Sequence, residues 1–298
     1  MDSTGESLAV RLWIIIIAVP FILIACSPSV KEGDRVCEDC IYSPEDITIF
    51  HSLLSQLEGS SEASISDLVI MAGKALLETP YVAHTLEVGA EEKLVINLRG
   101  VDCTTFAENC LALARTVKGG EASFSSFVKE LGFIRYRDGT MSGYPSRLHY
   151  FCDWIHNNHE KGAVRDVSSE LGGTMFRKEV NFMSTHPESY KRLLENPADI
   201  GPISETEADL SGREFYHIPQ EGMRTMEDLL NNGDIVGITT DIEGLAIMHV
   251  GILIRKNDAM HLMHASSASE KVCISEATLQ DYLLNNTKAI GIMVARPL

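Results

Sequence analysis

The residue best suited to nucleophilic chemistry is Cys103, which stands between a glycine-containing loop and an apolar helical pattern. The segment Gly100-Val101-Asp102-Cys103-Thr104-Thr105-Phe106 places the thiol in the predicted first turn of a helix. Backbone N–H groups are unpaired there and the helix dipole is positive, and both favour the thiolate, which is the reactive form. The same N–H groups can hold the oxyanion of a tetrahedral intermediate. A buried cysteine that only caps a helix would show the same local pattern.

Two histidines in the last third of the chain can activate such a thiol. His249 begins an apolar run, and His264 follows the polar turn 255–258 in Met263-His264-Ala265-Ser266. On adjacent antiparallel strands the two rings can meet side by side if register and facing agree. One imidazole would then deprotonate the thiol while the second orients the first. His261 is a rival for the second role, although the sequence around His264 fits it better.

A zinc amidase is the alternative use of His249 and His264, together with an acidic residue. The sequence has neither an HExxH motif nor another tight ligand spacing. A lone CxxC at Cys37 and Cys40 supplies two ligands, which is too few for a zinc site, so a local disulfide is the favoured interpretation and a simple feature of the linker is the alternative. The prediction is a site that needs no metal and no organic cofactor.

The elements that must position these residues are helical first and β-rich later. Apolar periodicity predicts helices at 47–57, 64–77, 104–117 and 149–157, a short strand at 93–98, and a loop-rich middle at 162–211 with a helix near 188–195. Short strands are predicted at 234–239, 246–254, 259–266, 271–274 and 289–295. Helices followed by antiparallel strands predict an α+β domain.

Composition excludes one class of partner. Of the 298 residues, 25 are Lys or Arg and 42 are Asp or Glu, which gives a formal net charge of −17. Nothing in such a chain would neutralise a phosphate backbone, so nucleic acid is not an expected partner.

The N-terminal residues predict export and lipid attachment. Residues 12–25 are apolar but shorter than the roughly 20 residues that a spanning helix needs, and they fit a secretion signal. They end at Leu23-Ile24-Ala25-Cys26, which resembles the lipobox of bacterial lipoproteins. The resulting prediction is a signal peptide at 1–25, a tether lipidated on Cys26 at 26–44 and one catalytic domain at 45–298. The protein would face the periplasm from a bacterial envelope membrane, with the outer membrane favoured; an uncleaved signal anchor is the alternative.

Several separated motifs resemble one known family. They are 81–87, 97–108 with its Asp102-Cys103 pair, 134–139, 146–151, Asn232-Gly233-Asp234-Ile235-Val236, His249-Val250-Gly251 and His264-Ala265-Ser266-Ser267. Together they resemble the N-acetylmuramoyl-L-alanine amidase-like family of the NlpC-type cell-wall cysteine peptidase superfamily. The resemblance implies a papain-like fold in which the nucleophile helix packs on a C-terminal antiparallel sheet.

The implied reaction is hydrolysis of the amide between N-acetylmuramic acid and L-alanine in released wall fragments. Superfamily relatives instead cut the γ-D-glutamyl–diaminopimelate bond within the stem peptide, and the residues alone do not choose between the two bonds. A non-catalytic wall-binding lipoprotein, which would keep the fold without needing the thiol, is the remaining alternative.

Five residues are candidates for substrate binding. The resemblance places the hydroxyl of Tyr81 beside the nucleophile. Asp102 can bind a peptide amine or cap the helix. Arg147 and His149, which precede the aromatic pair begun by Tyr150, can meet a carboxylate or a sugar, or can belong to a helix cap.

Overall fold

The computed structural model describes residues 39–298. The predicted signal peptide, the lipidation of Cys26 and the pairing of Cys37 therefore lie outside the described residues. Cys40 is disulfide-bonded, and its bond to Cys37 stays a prediction. In the part of the chain that the structure describes, no helix has the length and apolar character needed to cross a membrane.

Helices dominate the N-terminal part and the middle of the described chain. They are α1 (Pro44–Gln56), α2 (Ile65–Ala75), α3 (Cys103–Lys118), α4 (Phe124–Arg135), α5 (Phe151–Glu160), α6 (Phe182–Thr185), α7 (Lys191–Glu195), α8 (Ile200–Gly212), α9 (Met223–Met226) and α10 (Leu279–Leu284). The helices predicted around 47–57, 64–77, 104–117 and 149–157 are confirmed with shifts of a few residues at their ends. Helices α4 and α8 were not predicted.

The strands form a two-stranded and an eight-stranded sheet. They are β1 (Cys40–Ile41), β2 (Leu94–Val95), β3 (Val164–Asp166), β4 (Thr174–Phe176), β5 (Phe215–Pro219), β6 (Ile235–Thr240), β7 (Ile247–Lys256), β8 (Ala259–Ser266), β9 (Lys271–Thr278) and β10 (Ala289–Pro297). The large sheet has the order β4-β5-β10-β6-β7-β8-β9, with β3 also paired to β10, and its pairs are antiparallel. The predicted α+β class is confirmed.

The large sheet is covered on both faces, and its strands alternate accordingly. On β7, Ile252 and Ile254 belong to the apolar cluster built with α1 to α5, whereas Leu253 belongs to a second cluster. On β8, Met263 faces the first cluster and Leu262 the second. Successive side chains of a strand point to opposite faces, so His264 lies on the same face as Leu262. That face is covered by α10, and the opposite face is covered by α3.

The N-terminal end of the described chain is fastened to the segment that leads into α3. Strand β1 pairs in parallel with β2. The carboxylate of Asp46 is fully buried and accepts hydrogen bonds from the backbone N–H of Leu98 at 2.9 Å and from Nε of Arg99 at 3.1 Å. The last residues of the predicted tether, from Cys40 to Pro44, are thus already part of the folded unit.

Candidate active site

Cys103 is the first residue of α3, and a reciprocal cap fixes the start of that helix. Asp102 has extended backbone angles, and its Oδ1 accepts from the backbone N–H of Thr105 at 2.8 Å. The Thr105 hydroxyl in turn accepts from the N–H of Asp102 at 2.9 Å. Two donors that a helix start leaves unpaired are satisfied in this way, and the cap holds Cys103 at the helix terminus.

The two histidines meet at the ends of their strands. Nε2 of His249 lies 2.6 Å from Nδ1 of His264, with the two rings nearly perpendicular. Tyr282 of α10 covers the pair: its ring stacks against His249 at 6.4 Å between centroids and contacts His264 edge-on at 5.5 Å. His261 hydrogen bonds to the carbonyl of Ser275 instead. His264, not His261, is therefore the partner of His249.

The thiol lies beside the strand that carries His249. Cys103 packs with the cluster on the α3 face, and its sulfur accepts a hydrogen bond from the backbone N–H of Val250, the residue after His249. Cys103 and His249 both line one small cavity of about 130 Å³. The structure thus brings the three predicted catalytic residues together.

Cys103 lies between this small cavity and a larger cleft of about 310 Å³. The two spaces share Cys103, Thr104, His149 and Tyr190. His249 lines only the small cavity, whereas Tyr81 and Asp102 line only the cleft. A substrate that spans both spaces would pass directly over the sulfur.

Burial shifts the pKa of the Cys103 thiol and of the His249 imidazole toward the neutral form of each group. Burial, followed by the negative charge of Asp102, raises the pKa of Cys103 to about 11. Burial, followed by the neighbouring His264, lowers the pKa of His249 to about 3, and burial lowers the pKa of His264 to about 4. The expectation from the sequence, a thiolate favoured by the helix terminus, is wrong in direction. Desolvation of the sulfur outweighs the hydrogen bonds from the N–H groups of Val250 and Thr104.

Three of the predicted substrate-binding residues, Tyr81, Asp102 and His149, line the larger cleft. Tyr81 is partly buried beside Cys103, and burial raises the pKa of its hydroxyl, which stays protonated. Asp102 lines the cleft and also caps the helix, so the two uses considered for it are compatible in space. His149 stands at the junction of the two spaces, where its Nε2 lies 2.9 Å from the carbonyl of Tyr144. Burial lowers the pKa of His149 well below its usual value.

Arg147 is buried in a network of its own. Its Nη2 donates to Glu87 at 2.5 Å, its Nε lies 3.7 Å from Glu92, and its guanidinium covers the ring of Tyr144. Burial disfavours this cation, but Glu92 and Glu87 raise the pKa of Arg147, so the guanidinium stays charged. Because two carboxylates already surround the guanidinium, a third carboxylate from a substrate would be repelled at close range.

The hydroxyl of Tyr150 is already engaged in the protein. It donates to Glu207 on α8 at 2.6 Å and accepts from the N–H of Met183 at 2.8 Å. Tyr150 thereby ties α6 and α8 to the wall of the small cavity, which its own side chain also lines.

Sequence reasoning missed several residues of the site. They are Glu87 and Glu92 around Arg147, the buried pair of Glu108 with Arg135 (2.7 Å), and Tyr144, Tyr190 and Tyr282. The similarity of residues 81–87 to the family indicated that Glu87 belongs to a motif, but it did not indicate that Glu87 pairs with Arg147. Among residues 39–298, no group of three or more His, Cys, Asp or Glu side chains is placed to hold a metal ion.

Comparison with known proteins places the chain in a family. The N-acetylmuramoyl-L-alanine amidase-like family matches residues 71–292. A crystal structure of an N-acetylmuramoyl-L-alanine amidase from Bacteroides uniformis is 38% identical, with a TM-score of 0.75 over 78% of this chain and 99% of that one. A Bacteroides fragilis protein, provisionally named a xylanase, is 39% identical, with a TM-score of 0.72 over 75% and 98% of the two chains.

A Legionella pneumophila protein at 19% identity shares the fold, with a TM-score of 0.63 over 85% of this chain and 93% of that one. A search among curated proteins finds no match.

The class follows from the architecture: a helix that begins with a cysteine packs on an antiparallel sheet that carries a histidine pair, which is a papain-like domain. Within that class, the chain belongs to the N-acetylmuramoyl-L-alanine amidase-like family. The family predicted from the motifs is confirmed, and the protein is accordingly related to cell-wall amidases that act on material derived from peptidoglycan.

Proposed function

We propose that this protein is a cysteine amidase that hydrolyses the amide between N-acetylmuramic acid and L-alanine in peptidoglycan fragments. The observation that carries the proposal is the character of the small cavity beside His249. Its lining contains no Asp, Glu, Lys or Arg, and both of its histidines are neutral because burial lowers the pKa of each.

The reaction begins with the neutral pair. Since Nε2 of His249 is engaged with His264, its Nδ1 is the nitrogen available to take the thiol proton as the sulfur attacks the amide carbonyl. With the proton of His249 on Nε2, that nitrogen donates to Nδ1 of His264, which holds the ring in the tautomer that the base requires. The N–H of Cys103, at the start of α3, is suited to stabilise the oxyanion.

The orientation of the substrate in the site follows from the proton that His249 must return to the leaving amine. When the tetrahedral intermediate collapses, His249 protonates the departing amine while the acyl group stays on the sulfur as a thioester. The amine side of the substrate therefore belongs in the cavity that His249 lines, and the acyl side belongs in the larger cleft. Water then hydrolyses the thioester with His249 as base.

This orientation discriminates between the two candidate bonds. For the muramoyl–alanine amide, the residue next to the scissile bond on the amine side carries one methyl group, and the charged groups of the stem peptide lie further along the peptide. The acyl side carries a sugar. This arrangement fits a small uncharged cavity beside His249 and a larger polar cleft. For the γ-D-glutamyl–diaminopimelate bond, the amine side would carry a charged carboxylate and ammonium. Placing such charges in a cavity without counter-charges is costly, since each needs a partner when desolvated.

The name of the Bacteroides fragilis relative suggests glycoside hydrolysis. The site of this protein supports that reaction less well. Such enzymes use two carboxyl groups, one on each side of the glycosidic bond. The three carboxylates that line the cleft are already engaged: Asp102 in the helix cap, Glu108 with Arg135, and Glu87 with Arg147.

Product analysis tests the proposed function. We expect the protein to convert an N-acetylmuramoyl tripeptide that ends in diaminopimelate into free N-acetylmuramic acid and intact tripeptide, with full activity in the presence of a chelator. Mass spectrometry separates these products from those of cleavage within the peptide. Release of diaminopimelate would favour the endopeptidase, and loss of activity with the chelator would favour the zinc alternative.

The pH profile of the wild-type protein is a second test. We expect kcat/KM to be nearly constant from about pH 5 to pH 9, because buried His249 (pKa about 3) and Cys103 (pKa about 11) do not titrate in that range. An acid limb with an apparent pKa near that of free histidine would contradict the neutral-pair assignment.

Thermal melts at several pH values identify the pH range in which the protein stays folded, and the activity profile is valid only in that range. In the unfolded chain these histidines take up protons below about pH 6.5, whereas folded His249 and His264 do so only near pH 3 to 4. The unfolded state thus binds more protons between those limits, so the free energy of unfolding decreases as the pH falls through that window.

A further inference from the structure

We propose that Met183 and Leu245 restrict the residue on the amine side of the scissile bond to one about as small as alanine. This inference rests on the proposed function and identifies residues that set its specificity. The two side chains line the small cavity together with Phe151, Ile247 and Met248.

The two residues come from separate segments of the chain that together form one wall of the cavity, here called the cover. Met183 belongs to α6 and is 2% exposed, and Leu245 lies in the turn between β6 and β7 and is partly exposed. Neither segment touches the larger cleft. A side chain on the amine-side residue would therefore meet this cover, whereas the acyl group would not.

The cover is held in place by hydrogen bonds on both sides. The backbone N–H groups of Asn181 and Phe182 both donate to the carbonyl of Gly244, at 3.1 and 3.2 Å. Gly244 has φ +73°, and a Cβ at this position would lie 2.5 Å from Oδ1 of Asn181, so the turn approaches α6 as closely as a glycine allows.

The second anchor of the cover lies on the side of α8. The N–H of Met183 donates to the hydroxyl of Tyr150, and that hydroxyl donates to Glu207, which is 2% exposed. Glu207 also accepts from the N–H of Ser184 at 3.0 Å. With both ends fixed, the cover cannot retreat from a larger side chain without breaking buried hydrogen bonds.

Volume and polarity then define what the cavity accepts. About 130 Å³ with apolar side chains such as Met183 and Leu245 on one side accommodates a residue with a methyl group, and the lack of Asp, Glu, Lys and Arg in the lining disfavours an acidic or basic side chain. Leucine would be excluded by size, and glutamate by both size and charge.

The test uses N-acetylmuramoyl tripeptides that end in diaminopimelate and differ only in the residue amide-linked to the muramoyl group, which is L-alanine, L-leucine or L-glutamate, with the full chain. We expect the wild type to prefer L-alanine, and Leu245→Ala to raise the ratio of kcat/KM for L-leucine over L-alanine about tenfold or more, as expected when several methylenes are removed from an apolar pocket. Met183→Ala should act in the same direction, and L-glutamate should remain a poor substrate for both variants. Met175→Ala is the matched control, because Met175 is 48% exposed and lines neither space.

Two failures can be told apart. If the wild type cleaves the L-alanine amide but Leu245→Ala, folded by its thermal melt, keeps the wild-type ratio, the specificity inference is overturned and the proposed function stands. If the wild type cleaves none of the three muramoyl amides, the proposed function fails and this inference fails with it. Because Leu245 is partly exposed, its variant supplies the test even where Met183→Ala does not fold.

Discussion

Replacing Cys103 with alanine is expected to reduce kcat/KM for the muramoyl–alanine amide by at least about 10⁴-fold, while the melting temperature changes little. The sulfur is the only group at the junction of the cavity and the cleft that can form the thioester, and loss of a nucleophile in a comparable triad costs about 10⁶-fold. The side chain is partly exposed and caps nothing, because Asp102 and Thr105 form the cap.

Cys110→Ala is the control for this experiment. Cys110 is on the same helix, but it is fully buried, so its thiol cannot reach a substrate. We expect it to keep wild-type activity per folded molecule. Turnover above about one per cent of wild type in a folded Cys103→Ala protein would remove Cys103 from the mechanism and would favour a binding protein or a different nucleophile.

Replacing His249 with alanine should cost about 10³- to 10⁴-fold in kcat/KM at pH 7, with a distinctive pH dependence. If the pKa of Cys103 stays near 11, the sulfur is ionised at pH 7 in about one molecule in 10⁴, since the difference is four pH units. The variant must rely on that fraction, whereas the wild type transfers the proton during attack. Its activity should therefore rise about tenfold per pH unit through the range in which wild-type activity is flat.

His261→Gln is the matched control for this variant. His261 lies on β8 close to His264 in the chain, but its ring bonds to the carbonyl of Ser275 and lines neither space at Cys103. We expect a flat pH profile and nearly wild-type kcat/KM from it. A His249→Ala protein with the same flat profile would show that another group takes the thiol proton.

The catalytic candidates could be predicted from the sequence because each has a local signature. Cys103 follows a capping residue before an apolar helical period, and both rules act over a few residues. The choice of His264 over His261 rested on the sequence Met263-His264-Ala265-Ser266 around it, and strand alternation alone does not say which of the two faces His249. Residues three apart on a strand point to opposite faces, so only one of the two can meet His249.

The surroundings of these residues could not be predicted, because they depend on contacts between distant segments. Tyr282 reaches the histidines from α10, and Met183 reaches the cavity from a segment interpreted as loop-rich. The direction of the Cys103 pKa shift is wrong in the sequence-based prediction for the same reason. The helix terminus is visible locally, whereas the burial that outweighs it depends on segments distant in the chain, such as β7, whose Val250 N–H donates to the sulfur.

Two of the helices that were not predicted are α8, whose sequence signal is weak, and α4, whose sequence signal was overlooked. Helix α8 begins with Ile200-Gly201-Pro202, and neither glycine nor proline favours a helical interior. Helix α4 did have a signal: Ser123 caps it, and its buried residues Phe124, Phe127, Val128 and Leu131 are spaced three or four apart.

The buried carboxylate of Asp46 has a practical consequence for any shortened version of this protein. The family match begins at residue 71, so a fragment cut to that boundary would lack the acceptor for the N–H of Leu98. An orphaned buried donor costs about 1–3 kcal/mol, and this one would lie five residues before Cys103. Truncations should therefore spare the chain from Cys40 onward if the thiol is to remain correctly placed.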